Sequence, residues 1–462
     1  MKLQKITTIE PLQSILEARD HRAFLKNKIA QRGQPCLSLS LNVPGFPKSN
    51  STTNVFFRYC LRDLKFTLKG RRIEIDEKEA VECCDAAGDF FLVPCSTINF
   101  SLKEIKQICE DFEQNHPLGR FIDVDLNDQQ GNSVSSGKSK LCFFCLERPA
   151  IECRRENAHD FEELRSFMFP KMAAYCGKQK EELLIKKISS LAQQAILSEI
   201  SLTPKPGLVD QFSCGSHADM NYQTFMVSTA AISPWFGELV QEGLSFRDDD
   251  LTKALPLIRN IGLRMESAMF EATRNINTQK GIIFLMGLSL FACGKLFSKN
   301  EPFNVVEFRT IIHSICKDLV KNELGNVHQS AKSHGEDTFL KYGFSGARGE
   351  AESGFRMVFE FGLPQLTGVA QLNDKTLIKC FLAISANNAD TNILYRSNPE
   401  VLSDFKHLCK SALKDFSNEN YQAVIDFCKN ENISPGGSAD LLAVTIFVWS
   451  MMKMYSINNT KK

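Results

Sequence analysis

Up to about residue 176 the apolar residues fall into short runs of two kinds. Cys36-Leu37-Ser38-Leu39-Ser40-Leu41-Asn42-Val43 alternates apolar and polar and stops at Pro44-Gly45. That is the pattern of a half-buried strand entering a turn. Phe90-Phe91-Leu92-Val93 ends at Pro94, and residues 121–126 alternate again. Between these runs, 11–28 and 102–113 carry apolar residues at helical spacing. Mixed strands and helices predict an α+β or α/β domain over 1–176.

Beyond 176 the strand signal nearly vanishes. Helical spacing recurs over 181–192, 225–242, 251–272, 281–297, 305–322, 350–361, 375–386, 399–416, 420–430 and 439–455. These segments predict an all-α domain over 177–462, with no fixed-period repeat to suggest a solenoid. Cys176-Gly177-Lys178-Gln179-Lys180 is the expected junction. Two strongly apolar uncharged runs, 281–294 and 441–452, are 14 and 12 residues long, short for a bilayer and typical of core helices. No membrane span is expected.

Composition sharpens this picture. Hydrophobic residues make up 43% and charged residues 24%, the balance of a folded globular chain rather than a disordered one. Lys+Arg is 55 and Asp+Glu 54, a net charge of +1, which argues against a nucleic acid backbone as main partner. Any phosphate binding must be local. No apolar signal region follows Met1-Lys2-Leu3-Gln4-Lys5, so a cytoplasmic, reducing location is expected. Most of the 16 cysteines then read as buried thiols.

Three features of the first segment carry chemistry. Two prolines stiffen the turn after the first strand and present Lys48, which suits a phosphate. A solvated lysine on a surface turn is the plainer alternative. Residues 116–125 read His-Pro-Leu-Gly-Arg-Phe-Ile-Asp-Val-Asp. On a strand, Asp123 and Asp125 share one face while Ile122, Val124 and Leu126 take the other. Two adjacent carboxylates with Arg120 beside them suit Mg²⁺ bridging to phosphate, the metal pattern of nucleotidyl transfer, so a nucleotidyltransferase-like domain is expected. Two exposed acids on an edge strand would look the same. Finally, Cys142-x2-Cys145-x7-Cys153-x5-His159 offers four ligands for a structural Zn²⁺, against the alternative of chance in a cysteine-rich chain.

These motifs, in this order over roughly residues 10–170, resemble the CitX-type apo-citrate lyase phosphoribosyl-dephospho-CoA transferases. The resemblance implies transfer of a CoA-derived prosthetic group to a serine of the citrate lyase acyl carrier protein (the γ subunit), with release of pyrophosphate. The stretch Arg154-Arg155-Glu156 is less basic than that family leads one to expect, which counts against a phosphate role there.

In the second segment the polar residues sit in loops. Thr203-Pro204-Lys205-Pro206-Gly207-Leu208-Val209-Asp210 is a rigid loop expected to hold out Lys205 and Asp210. His217 and Asp219 follow. Lys280 precedes a very apolar helix whose N-terminus suits an anion. Three glycines flank Arg348 before Glu350, and Asp390-Thr391-Asn392 adds a carboxylate. Ser438 is a candidate cap of the last helix, with Asp440 in its first turn. Singly, each has a plain reading as a cap or turn. Together they suggest a polyphosphate held by metal-linked carboxylates and a few cations.

These loops resemble the CitG-type triphosphoribosyl-dephospho-CoA synthases over about residues 180–455. One departure stands out: Gln279 replaces the histidine of that family's Asn-Thr-His-Lys-Gly. The two resemblances imply a bifunctional enzyme. The helical domain would make 2'-(5''-triphosphoribosyl)-3'-dephospho-CoA from ATP and 3'-dephospho-CoA, releasing adenine. The first domain would pass the phosphoribosyl-dephospho-CoA group to the carrier protein. Asp210, Asp219, Glu350 and Asp390 are then candidate catalytic acids or bases, with Asp123 and Asp125. Asp440, Asp123 and Asp125 are candidate Mg²⁺ ligands. Lys48, Arg120, Lys205, His217, Lys280, Arg348 and Ser438 are candidate substrate contacts. Two other readings stay open: a nucleosidase-like helical hydrolase, and a non-catalytic zinc-knuckle binding module on a helical scaffold.

Overall fold

The computed structural model describes residues 11–135, 137, 140–299, 301–325 and 334–459. The chain divides into two compact units, Met1–Glu182 and Leu183–Lys462.

The first unit is α+β. Its elements are α1 (Pro11–Ala30), β1 (Cys36–Leu41), α2 (Ser51–Gly70), β2 (Val81–Asp85), β3 (Gly88–Pro94), α3 (Leu102–Asn115), β4 (Ile122–Asn127), α4 (Ala150–Arg155) and the start of α5 (Phe161–Ser201). The strands form one sheet in the order β2-β3-β1-β4, and every ladder is antiparallel. The α/β alternative therefore does not hold. Register places Ser40 opposite Asp123 and Ser38 opposite Asp125.

One sheet face, with Leu37, Leu39, Phe91, Val93, Ile122, Val124 and Leu126, packs on the apolar stripes of α2 and α3 and on Met168 and Met172 of α5. On the other face, Cys36, Phe90 and Leu92 pack against Ile29 of α1. Arg22 pins α1 there: its guanidinium donates to both Asp85 carboxylate oxygens and the Gly88 carbonyl, and stacks on Phe90. The sequence reading omits α2 and β2. The helical signal of α2 is present in Phe56, Phe57, Cys60, Leu61, Leu64 and Leu68, all buried, behind an Asn50–Thr53 capping box. β2 is a short, half-exposed edge strand with no long apolar alternation.

The second unit is helical: the end of α5, α6 (Tyr222–Ile232), α7 (Phe236–Ser245), α8 (Ala254–Ala272), α9 (Lys280–Phe297), α10 (Val305–Ile315), α11 (Leu319–Glu323), α12 (His334–Tyr342), α13 (Gly346–Glu352), a π turn (Val358–Gly362), α14 (Asp374–Ser385), α15 (Thr391–Arg396), α16 (Pro399–Lys414), α17 (Asn418–Asn430) and α18 (Gly436–Asn459). Three predicted helices are broken. Pro234 opens a 3-10 turn between α6 and α7, left-handed Asp318 separates α10 from α11, and left-handed Phe355 ends the run after α13. Residues 176–180, the expected junction, lie inside α5, just before the boundary between the two units.

By length and composition α9 and residues 436–455 of α18 are apolar enough to cross a membrane. In this fold most of their length is buried in the core of the unit. Helices α7 and α9 touch through glycines: a Cβ at Gly243 would overlap the Phe291 carbonyl oxygen, and one at Gly294 the Val240 carbonyl oxygen.

Candidate active sites

In the first unit β4 carries Asp123 and Asp125 on one face, as its alternation requires, while Ile122, Val124 and Leu126 are buried. Each acid leans on a lysine that sequence reasoning missed. Lys140 Nζ lies 3.6 Å from Asp123, and Lys26 Nζ of α1 lies 3.8 Å from Asp125. Burial, then the charge of Asp125, pushes the Asp123 carboxyl up, and Lys140 partly offsets this. Lys140 also pairs with Glu113, whose other oxygen accepts from the Val124 N–H at 2.7 Å. Glu113 lies on the buried side of α3 with Ile105, Cys109 and Phe112. A charged residue on that apolar stripe was the available signal. Two half-exposed carboxylates are a fitting donor set for a hard divalent cation. Arg120 points elsewhere, donating to the Leu141 carbonyl.

Lys48 is half-buried and donates to the Val43 carbonyl at 2.5 Å. Desolvation, then the nearby Arg19, Arg154 and Arg165, brings its ammonium down to about 8. Arg165 of α5 lies over the same turn, donating to the Pro47 carbonyl at 3.2 Å. Arg154, discounted on sequence, thus belongs to a set of cations around Lys48. His116 accepts the Leu118 N–H at Nδ1 and contacts the Tyr175 hydroxyl through Nε2 at 3.1 Å. A cavity of about 370 Å³ beside it, lined also by Asp63, Arg71 and Phe112, contains none of the predicted site residues.

Cys142, Cys145, Cys153 and His159 come together, their ligand atoms all within 4.8 Å of one another. Cys145 Sγ and Cys153 Sγ are 3.7 Å apart. Backbone N–H groups of Glu147 and Arg148 pull the Cys145 thiol down to about 6. His159 Nε2 is buried and makes no hydrogen bond.

In the second unit most of the predicted loops gather around the start of α18. The buried Asp390 carboxylate, the N-cap of α15, accepts from Asn392 N at 3.0 Å, Ser438 N at 2.8 Å, Ser438 Oγ at 2.9 Å and Gly437 N at 3.4 Å. The first turn of α18 is therefore capped by Asp390 from another helix. Ser438, the expected cap, lies inside that turn. Burial pushes Asp390 up, while these donors pull against it. Asp440 sits one turn on, against the head of α9: a Cβ at Gly281 would overlap its carboxylate. Burial pushes Asp440 well above the usual carboxylate range, with the charges of Glu199 and Asp390 adding to the effect.

Lys205, expected to be held out by its loop, turns inward instead and donates to the Glu199 carboxylate at 2.7 Å and its carbonyl at 3.0 Å. Glu199, on the buried face of α5, was missed on sequence. Asp210 folds its own loop, accepting from the N–H groups of Lys205, Phe212 and Ser213. Gly207, with φ +65°, abuts the Ile433 carbonyl and brings this loop to α18. His217 is fixed by Arg396, which donates to Nδ1 at 3.2 Å, so Nε2 carries the proton and donates to Ser434 Oγ at 2.9 Å. Burial, then Arg396, lowers the His217 pKa. Asp219, exposed, is 3.9 Å from His217.

Other predicted residues are engaged nearby. Lys280 pairs with Glu266 at 2.9 Å. Arg348 pairs with Glu323 at 2.8 Å and Glu336 at 3.5 Å. Glu350 accepts from Met357 N at 2.9 Å, and burial pushes it up. Gln279, the departure from the family pattern, is buried against the Ser228 and Thr229 hydroxyls, a role that an amide fills without charge.

Comparison with known proteins gives these sites a context. Residues 10–175 match the family model for apo-citrate lyase phosphoribosyl-dephospho-CoA transferase, and 185–459 the model for ATP:dephospho-CoA triphosphoribosyl transferase. A protein named CitXG from Leuconostoc mesenteroides subsp. cremoris is 32% identical across 95% of this chain and 96% of its own length. A CitXG protein from Haemophilus influenzae is 31% identical with the same coverage. The 2-(5''-triphosphoribosyl)-3'-dephosphocoenzyme-A synthase of Pectobacterium atrosepticum is 38% identical over 58% of this chain and 90% of its own. With both domain models in order and full-length relatives of the same make-up, the chain belongs to the CitXG family, a CitX-type unit fused to a CitG-type unit.

Proposed function

We infer that the two units run consecutive steps in building the citrate lyase prosthetic group. In the helical unit the 2'-hydroxyl of 3'-dephospho-CoA attacks C1' of the ATP ribose, the bond to adenine breaks, and adenine leaves with a proton. In the α+β unit, acting as a nucleotidyltransferase, a serine oxygen of the acyl carrier protein attacks the α-phosphorus and pyrophosphate leaves. The observation that carries this reading is the gathering of separate loops around Asp390 and Asp440, in a chain that also carries the Asp123–Asp125 face.

The first reaction develops positive charge on the sugar, which nearby carboxylates stabilise. Asp390 sets the first turn of α18 and so positions Asp440. Asp440, whose carboxyl burial and the charges of Glu199 and Asp390 push up, suits giving a proton to the departing adenine better than holding a cation alone. His217 and Arg396 offer a polar edge for the substrate. Lys280 and Arg348 reach a triphosphate only by exchanging their present carboxylate partners.

In the transferase, Asp123 and Asp125 would hold Mg²⁺, which supplies charge neutralisation across the phosphates when bound. Lys140 keeps Asp123 oriented, and Lys48 with Arg165 meets the leaving phosphates. ATP and 3'-dephospho-CoA as substrates, and thiols that must stay reduced, fit a cytoplasmic enzyme.

The test is mass spectrometry of apo acyl carrier protein incubated with the chain, Mg²⁺, ATP and 3'-dephospho-CoA. A gain equal to the phosphoribosyl-dephospho-CoA group is expected. Adenine release that is equal with and without 3'-dephospho-CoA would instead mark a hydrolase.

A further inference from the structure

We propose that Cys142, Cys145, Cys153 and His159 bind one structural zinc ion, and that this ion clamps the segment that holds Lys140 against Asp123. The second half of the proposal rests on the transferase reading above; the first does not.

Four side chains of the types zinc prefers present ligand atoms within 4.8 Å of one another, the span of a tetrahedral site. Cys142 and Cys153 are buried, so the sulfurs sit in a partly dry pocket. His159 Nε2 is the independent sign of a missing ligand. It is shielded from solvent, it has no hydrogen-bond partner, and the Phe144 ring packs edge-on against the imidazole at 5.0 Å. A buried ring nitrogen left unsatisfied is costly unless something binds it. The backbone is arranged for a metal knuckle as well. Leu146 N donates to the Cys142 carbonyl at 3.1 Å, and Leu146 takes the left-handed conformation at φ +60°. N–H groups of Glu147 and Arg148 face the Cys145 sulfur, as donors do around a metal-bound thiolate.

The knuckle is tied to the Asp123 site by short connections. Cys142 N donates to the Arg148 carbonyl at 2.7 Å, and Ala150 N to the Lys140 carbonyl at 2.8 Å, closing a small loop that carries Cys142 and Cys145. Lys140 and Leu141 therefore form the base of the knuckle. From that base Lys140 reaches Glu113 and Asp123, and the Leu141 carbonyl holds Arg120. Lys140 is a positioning residue here. The loop is also anchored by Phe143, which packs on Phe121 and Phe167, and by Phe144, which packs on Phe167, so the ion's part is to fix the short segment from Cys142 back to Lys140.

The experiment measures zinc in the full-length chain, purified reduced and without chelator, by inductively coupled plasma mass spectrometry. The expected result is about one zinc per chain in the wild type and in His159→Cys, and about a tenth of that or less in Cys145→Ser and Cys153→Ser. Wild-type protein that neither carries zinc nor takes up added zinc overturns the site, as does full zinc content in both serine variants. His159→Cys retains four ligands, so it guards against misfolding of the serine variants as the cause of metal loss. Stripping zinc from the wild type should lower group transfer to the acyl carrier protein about 10–100-fold, with readdition restoring it. Adenine release by the helical unit should not change. Unchanged transfer in the stripped protein overturns the clamp. Wild-type zinc without any group transfer would leave the site standing and reject the transferase reading instead.

Discussion

Lys48 offers a titration of the transferase site. Its ammonium, desolvated and facing Arg19, Arg154 and Arg165, sits near pKa 8 rather than 10.5. The dependence of kcat/KM on pH follows the ionisations of the free enzyme. Between pH 7 and pH 9 the charged fraction of a group with that pKa falls from about nine-tenths to about one-tenth. If Lys48 meets the leaving phosphates as a cation, kcat/KM for transfer from preformed triphosphoribosyl-dephospho-CoA should drop roughly tenfold over that interval. Stability moves the other way. A lysine whose folded pKa lies below its unfolded value makes the folded state bind fewer protons between about pH 8 and 10.5, so its contribution to stability rises with pH there. Loss of activity cannot then be blamed on Lys48-driven unfolding. The assay is carrier-protein modification at limiting substrate, in wild type and in Lys48→Arg, whose guanidinium stays charged throughout. Lys48→Arg should flatten the alkaline limb. The same limb with the same midpoint in both proteins would refute the assignment.

Further outcomes concern the helical unit. Gly281→Ala places a methyl group on the Asp440 carboxylate and should abolish adenine release while group transfer from supplied intermediate persists. Lys205→Met strands the buried Glu199 charge and should destabilise the helical unit by about 3–5 kcal/mol, read as a lower urea midpoint of its unfolding. Asp390→Asn puts an amide before the donors that now point at a carboxylate. Losing even one such bond costs about 1.5–3 kcal/mol, and adenine release should fall with it. Asp440→Asn should cost about 10²-fold or more in kcat and remove the decline in wild-type activity as rising pH deprotonates this acid.

Much of this was legible in residue patterns because local rules and tertiary packing agree. The alternation that puts Asp123 and Asp125 on one face of β4 survives intact, and the Cys/His spacing closes into one cluster. What stayed hidden depends on partners distant in sequence. Nothing near Lys205 announces that Glu199 will take its charge, and nothing near Ser438 announces that Asp390, 48 residues earlier, will cap its helix. Breaks within long apolar stretches were also missed. A left-handed Asp318 or Phe355 leaves the hydrophobic period almost unchanged while it turns the chain. Lys140 lies in a loop with no periodicity, and only the folded knuckle brings it to Asp123.

The glycine contact between α7 and α9 has a mechanical consequence. Gly243 and Gly294 let the two backbones meet with no side chain between them, which fixes α9 against sliding along its own axis. Gly281, in the first turn of α9, is thirteen residues from Gly294, a lever arm of about 20 Å. The gap between Gly281 and Asp440 has no slack, so an axial slip of even one ångström would open or jam it. A bulky residue at either glycine, far from any substrate, would thus be felt at the carboxylate as a change in reach.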